Sequence, residues 1–175
     1  IVATAVHRGG LTALTLTALL LERNTFNDPS RPEDGLQGFG IALTIAGIGV
    51  FLGAFLAPYG VARFGRHRWI KFAMFASAAA PLILAASQTK ITLSLTAFLA
   101  SFFGQNIKVT NDALVQSKID DYYRGRVFAV YDVVVNGAIV SGGLIAALLL
   151  PTSGLTASVP LCVSGAYLLV AVVVL

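Results

Sequence analysis

Residues 133–175 read VVVNGAIVSGGLIAALLLPTSGLTASVPLCVSGAYLLVAVVVL, without one charged side chain. As a single helix this stretch would be about 65 Å long, roughly twice the hydrocarbon thickness of a bilayer. It has to turn back on itself, and Pro151-Thr152-Ser153-Gly154 supplies the turn. Two membrane spans result, over residues 127–150 and 157–175. Working outward from them, four more apolar segments of spanning length appear, at residues 1–21, 35–58, 69–87 and 91–116. Between them lie a polar loop from Glu22 to Asp34, a compact basic loop from Arg63 to Lys71, a tight turn at Gln88-Thr89-Lys90, and a polar hinge from Ser117 to Arg126. Pro58 marks the expected end of the second span.

The whole chain has the same character. Of its 175 residues 57% are hydrophobic and 11% charged, and the mean hydropathy is +0.83. A soluble domain carries about 25% charged residues to cover its surface, so a soluble enzyme or binding module is excluded, and so is disorder. The net charge of +4 comes from basic residues scattered through apolar sequence, which does not make a phosphate-binding stripe, so no nucleic-acid partner is expected. With one cysteine, Cys162, and two distant histidines, His7 and His67, no disulfide framework, metal site or cofactor is expected. No histidine cluster, nucleophile elbow or phosphate loop occurs, which argues against an enzyme. The expected fold class is an all-α membrane protein, one six-transmembrane-helix bundle over residues 1–175.

The basic residues orient the bundle. With the first residue cytoplasmic, the inner side holds Arg8, Arg63, Arg66, Arg68, Lys71, Lys118, Arg124 and Arg126, and the outer side Arg23, Arg31 and Lys90. This asymmetry follows the positive-inside rule and puts both ends of the segment in the cytoplasm of a cell that carries the protein in its plasma membrane. The chain begins at Ile1 and stops within an apolar run, which reads as a piece of a longer polypeptide.

Two basic motifs carry a family resemblance. In Arg63-Phe64-Gly65-Arg66-His67-Arg68 a glycine sits between cations, where a tight turn needs freedom from Cβ. In Asp121-Tyr122-Tyr123-Arg124-Gly125-Arg126 acids precede an Arg-Gly-Arg, and acids are favoured at a helix N-terminus. Topology marking alone accounts for the first, and a capped amphipathic helix start for the second. The first also resembles the Gly-x-x-x-Asp-Arg-x-Gly-Arg-Arg loop of the major facilitator superfamily. Arg63, Gly65 and Arg66 match it, while Pro58 and Ala62 stand where the family has Gly and Asp. That departure points to the degraded copy of the loop between the eighth and ninth helices. The second is similar to the Arg-Gly-Arg start of the eleventh helix in facilitator exporters. Together they imply the C-terminal half, helices seven to twelve, of an actinobacterial exporter-like facilitator built from two three-helix repeats. The missing N-terminal half is then its main partner.

Polar residues inside the spans supply the candidate site. Gln105, Lys108, Asp112 and Gln116 recur at spacings of three and four on one face of the fourth span, and Asp132 and Asn136 share a face of the fifth. A charge at a helix centre costs about 2.5–3.5 kcal/mol, so these residues form either a structural ion pair between helices or the lining of a water-filled cavity. One ammonium cannot neutralise two carboxylates. Lys108 is expected to pair with Asp112, leaving Asp132 to bind the coupling proton. Gly49 and Gly53 in the second span and Gly142 in the fifth offer small faces for close helix packing. The expected function is half of a secondary transporter that moves a small-molecule substrate by alternating access, with proton-coupled efflux of amphipathic or siderophore-like compounds ahead of uptake. A six-span scaffold embedded in membrane lipid, without transport, is the alternative, and it has no need of a polar stripe at that depth.

Overall fold

In hydrocarbon a backbone satisfies its own polar groups by forming helices, and this chain does so almost throughout. The computed structural model describes residues 1–174, with no strand among them. Six helices follow in order: α1 (Val2–Leu21), α2 (Pro32–Phe64), α3 (Arg66–Ala86), α4 (Lys90–Lys118), α5 (Asp121–Leu149) and α6 (Ser158–Leu169). Wider π-type turns extend α1 through Glu22–Phe26 and α6 through Val170–Val174. Leu175, the last residue of the expected sixth span, lies outside the described residues. By length and composition, α2, α3 and α5 are each long and apolar enough to cross a membrane. The protein is an all-α membrane bundle.

Several boundaries differ from the sequence reading; the expected hinge from Ser117 to Arg126 shrinks to Ile119 and Asp120, because α4 runs to Lys118 and α5 starts at Asp121. Pro58 does not end α2 but lies inside it, because a proline removes one backbone donor and neighbouring helices in a membrane protein tolerate the loss. The basic loop shrinks to Gly65, since both flanking arginines are helical. With φ at +80°, Gly65 donates its N–H to the Val61 carbonyl at 2.9 Å and accepts from Trp69 N–H at 3.0 Å, so one residue turns the chain from α2 into α3. The segment from Glu22 is not wholly an exposed loop. Glu22 is buried, and its carboxylate accepts the Asn27 amide at 2.9 Å.

Packing centres on α1 and α4. Helix α4 lies against α2, α3 and α1, while α1 also packs on α5 and α6, and α3 closes on α6. Leu14, Leu21, Met74, Leu84, Ile107 and Tyr167 fill the resulting core. Helix α2 approaches α4 through small residues. A Cβ at Gly49 would stand 2.5 Å from the Phe98 carbonyl oxygen, and one at Gly53 would overlap the carbonyl of Phe102. Gly142 on α5 lies against the Gly9 carbonyl of α1 in the same way. Close backbone contact of this kind drives helix association where lipid supplies no hydrophobic force. The outer faces of α2 and α5 are apolar and exposed, with Phe51, Phe55 and Tyr59 on the first and Val133, Val140 and Leu148 on the second.

The two ends of the bundle are laced by polar contacts. At one end Thr25 Oγ1 donates to the Ser153 carbonyl at 2.6 Å, and Lys90 Nζ donates to Asn27 Oδ1 at 2.8 Å. Ser30 N–H donates to Asp28 Oδ1 in the same loop and holds that carboxyl below the ordinary carboxylate range. A reciprocal capping box between Thr89 and Thr92 starts α4. At the opposite end Arg66 Nη1 donates to Ser117 Oγ at 2.8 Å. Arg124 pairs with Asp121 and reaches the Gln116 carbonyl at 3.4 Å. Both arginines therefore sit at the C-terminus of α4, the negative end of its dipole.

Candidate functional site

Gln105 of the polar stripe and the neighbouring Asn111 bring α4 against α1, and the two helices form a seam. Lys108 Nζ donates to Asp112 Oδ2 at 2.5 Å, an ion pair one helical turn long. The second carboxylate oxygen, Asp112 Oδ1, is buried without a protein partner, as is the Tyr131 hydroxyl on α5. Asn111 Nδ2 donates to Thr4 Oγ1 of α1 at 2.8 Å, and one turn further along the seam Arg8 Nη2 donates to Gln105 Oε1 at 3.4 Å. His7, beside Arg8, is buried with its ring against Gly104 and stacked on Tyr167 at 4.8 Å, and the Tyr167 hydroxyl donates to the His7 carbonyl.

Arg8, counted with the inner basic residues, is part-buried against α4. It lies level with Gln105. That residue is twelve positions up α4 from Ser117, about 18 Å. The cause is register: Thr4 of α1 lies opposite Asn111 of α4, and Arg8, one turn further along, is therefore level with Gln105. Arg8 thus joins the seam, where no sequence signal beyond its apolar flanks pointed to it.

The remaining candidates separate. Asp132 and Asn136 are exposed on α5, where Asn136 donates to the Asp132 backbone carbonyl at 2.8 Å. The structure does not bring them to Lys108, and Asp132 has no ion-pair partner among the described residues. Tyr131, one residue earlier, carries α5's polar contribution to the seam instead. Gln116 lies at the exposed end of α4, away from the seam, where its backbone carbonyl accepts from Arg124. Arg63, Gly125 and Arg126 are exposed. Outward of Arg8 and Gln105, a cavity of about 160 Å³ opens between α1, α2 and α4. Leu11, Leu14, Ala42, Ala97 and Ser101 help to line it. The seam thus presents two cations, one acid and several amides beside an apolar chamber.

A six-helix bundle with small-residue contacts and a charged intramembrane seam has the form of a transporter domain. The family profile for the Major Facilitator Superfamily matches residues 2–175. The chain belongs to the Major Facilitator Superfamily. It is similar to an uncharacterised MFS-type transporter of Mycobacterium tuberculosis, 31% identical over 150 residues that make up 86% of this chain and 33% of the relative. An uncharacterised MFS-type transporter of Mycobacterium bovis matches with the same identity and coverage. The chain therefore spans about one third of the length of these curated relatives. As a facilitator it is a multi-pass membrane protein of a transporter family, whose members take small-molecule substrates.

Proposed function

We propose that this chain is the C-terminal half, helices seven to twelve, of an actinobacterial-type facilitator in the plasma membrane, with both of its ends cytoplasmic. It moves a small solute by alternating access, exporting it in exchange for protons. The observation that carries the reading is the seam between α1 and α4, where Arg8, Gln105, Lys108 and Asp112 hold part-buried charge and amide groups within an apolar helix bundle. Charge there is costly, and it persists in membrane proteins where it lines a pathway or pairs internally. A scaffold needs no such cost. The exposed apolar faces of α2 and α5 supply surfaces that the N-terminal half covers, and a substrate site near the midplane then lies between the halves.

Within this reading Lys108 is neutralised by Asp112, and Asp132, unpaired and exposed on α5, loads and releases the proton. The test uses the full-length transporter in proteoliposomes. Asp132→Asn should abolish transport driven by a pH gradient and leave substrate exchange at equal pH near the parental rate. Parental pH-driven transport in that variant would remove Asp132 from coupling.

A further inference from the structure

Arg8, part-buried in the seam between α1 and α4, has no carboxylate partner among the described residues. Lys108 has Asp112, and among the described residues the Arg8 side chain makes a single long hydrogen bond, 3.4 Å to Gln105 Oε1. A guanidinium stays charged at any physiological pH, and five N–H donors spread over a planar fork are far from satisfied by one amide oxygen. Counted along the seam, Arg8 and Lys108 against Asp112 leave one positive charge over. The group that answers such a fork is a planar or tetrahedral oxyanion, because two parallel N–H···O bonds match its geometry.

The surroundings define the rest of the ligand. Leu11 and Thr15 continue the Arg8 face of α1 at helical spacing, and Ser101 and Ala97 continue the Gln105 face of α4. These four residues also line the cavity of about 160 Å³, which Leu14, Ala42 and other apolar side chains close from α1 and α2. An apolar chamber therefore begins one helical turn from the unneutralised guanidinium, on the same two helix faces. We propose that Arg8 and Gln105 bind the oxyanion of an amphipathic organic anion whose hydrocarbon portion occupies the α1–α2–α4 chamber. This rests on the transporter reading and names its substrate class: a carboxylate, sulfonate or phosphate ester on an apolar body.

The experiment measures binding of tritiated decanesulfonate, an anion at every usable pH, to the full-length transporter in phosphatidylcholine nanodiscs, corrected for empty discs. Saturable binding is expected, displaced by decanoate and decyl phosphate and not by decyltrimethylammonium. Arg8→Gln should weaken it about tenfold or more, and Arg8→Lys less. Ala46→Phe, which fills the chamber from α2, should weaken decanesulfonate and leave ethanesulfonate competition unchanged. Thermal transitions of each variant identify any that misfold. A second disc preparation containing phosphatidylglycerol distinguishes the source of the anion. Lost binding there, with phosphatidylglycerol co-purifying, assigns the site to a resident phospholipid headgroup, and retained binding assigns it to a solute. Unchanged affinity in folded Arg8→Gln, or equal displacement by the ammonium amphiphile, overturns the proposal and leaves Arg8 as the structural partner of an acid outside this chain. Because this is equilibrium binding, it fails independently of the Asp132 transport assay.

Discussion

Replacing Asp112 by asparagine removes the negative partner of Lys108 and nothing of comparable volume. The pair is joined through Lys108 Nζ and Asp112 Oδ2, with the side chains 39% and 21% exposed, so neither charge is fully dehydrated. A lone charge at a helix centre costs about 2.5–3.5 kcal/mol. Lys108 lies about 14 Å from the α4 terminus at Ser117, retains solvent access and has a flexible stem, so the cost falls toward about 2 kcal/mol. In the larger full-length transporter that corresponds to a loss of about 2 °C or more in the thermal transition. The assay is the thermal unfolding of the detergent-purified full-length transporter, run as a double-mutant cycle with Lys108→Gln. Asp112→Asn should be the least stable member, and the double variant should recover most of the loss because no unpaired charge remains. An Asp112→Asn transition at the parental temperature, or a double variant no better than the single, would refute the argument that the pair exists to neutralise Lys108.

Further outcomes follow from the packing, the proton site and the orientation. Gly142→Val should destabilise the bundle by about 3 kcal/mol, the upper end for overpacking, because its Cβ meets the Gly9 backbone and no flexible side chain can give way; thermal unfolding beside Gly143→Ala, whose Cβ has ordinary contacts, checks it. Asp132→Asn should lose pH-driven transport while keeping exchange, as measured in proteoliposomes. In a Cys162→Ser background, an impermeant thiol reagent applied outside intact cells should label Ser30→Cys and spare His67→Cys; the reverse pattern would invert the proposed topology.

Much of the architecture was legible because membrane burial leaves few choices. An uncharged run too long for one crossing has to be broken, and the chain does turn at Pro151–Gly154 between α5 and α6. The i,i+4 spacing of Lys108 and Asp112 likewise brings the two side chains together on any helix. What the sequence hid was register between helices. Arg8 reads as a surface marker while α1 is considered alone, and only its position opposite Gln105 shows it part-buried between helices. The direction of α5 was hidden for the same reason. Tyr131 and Asp132 are adjacent in sequence, yet the first turns toward the seam and the second away, and the rotation is set by Gly142 meeting Gly9. Pro58 misled because proline inside a membrane helix costs less than in water.

The central claim is that the α1–α4 seam lines an aqueous pathway that opens to alternate sides. It is tested most directly by Gln105→Cys in the cysteine-free full-length transporter. The account predicts that a charged methanethiosulfonate reagent modifies position 105 from the cytoplasmic side in one state and from the outside in the other, with the balance shifted by the pH gradient and by bound substrate. A thiol at Gln105 that stays unreactive from both sides under every gradient would contradict it and leave the seam a sealed structural contact.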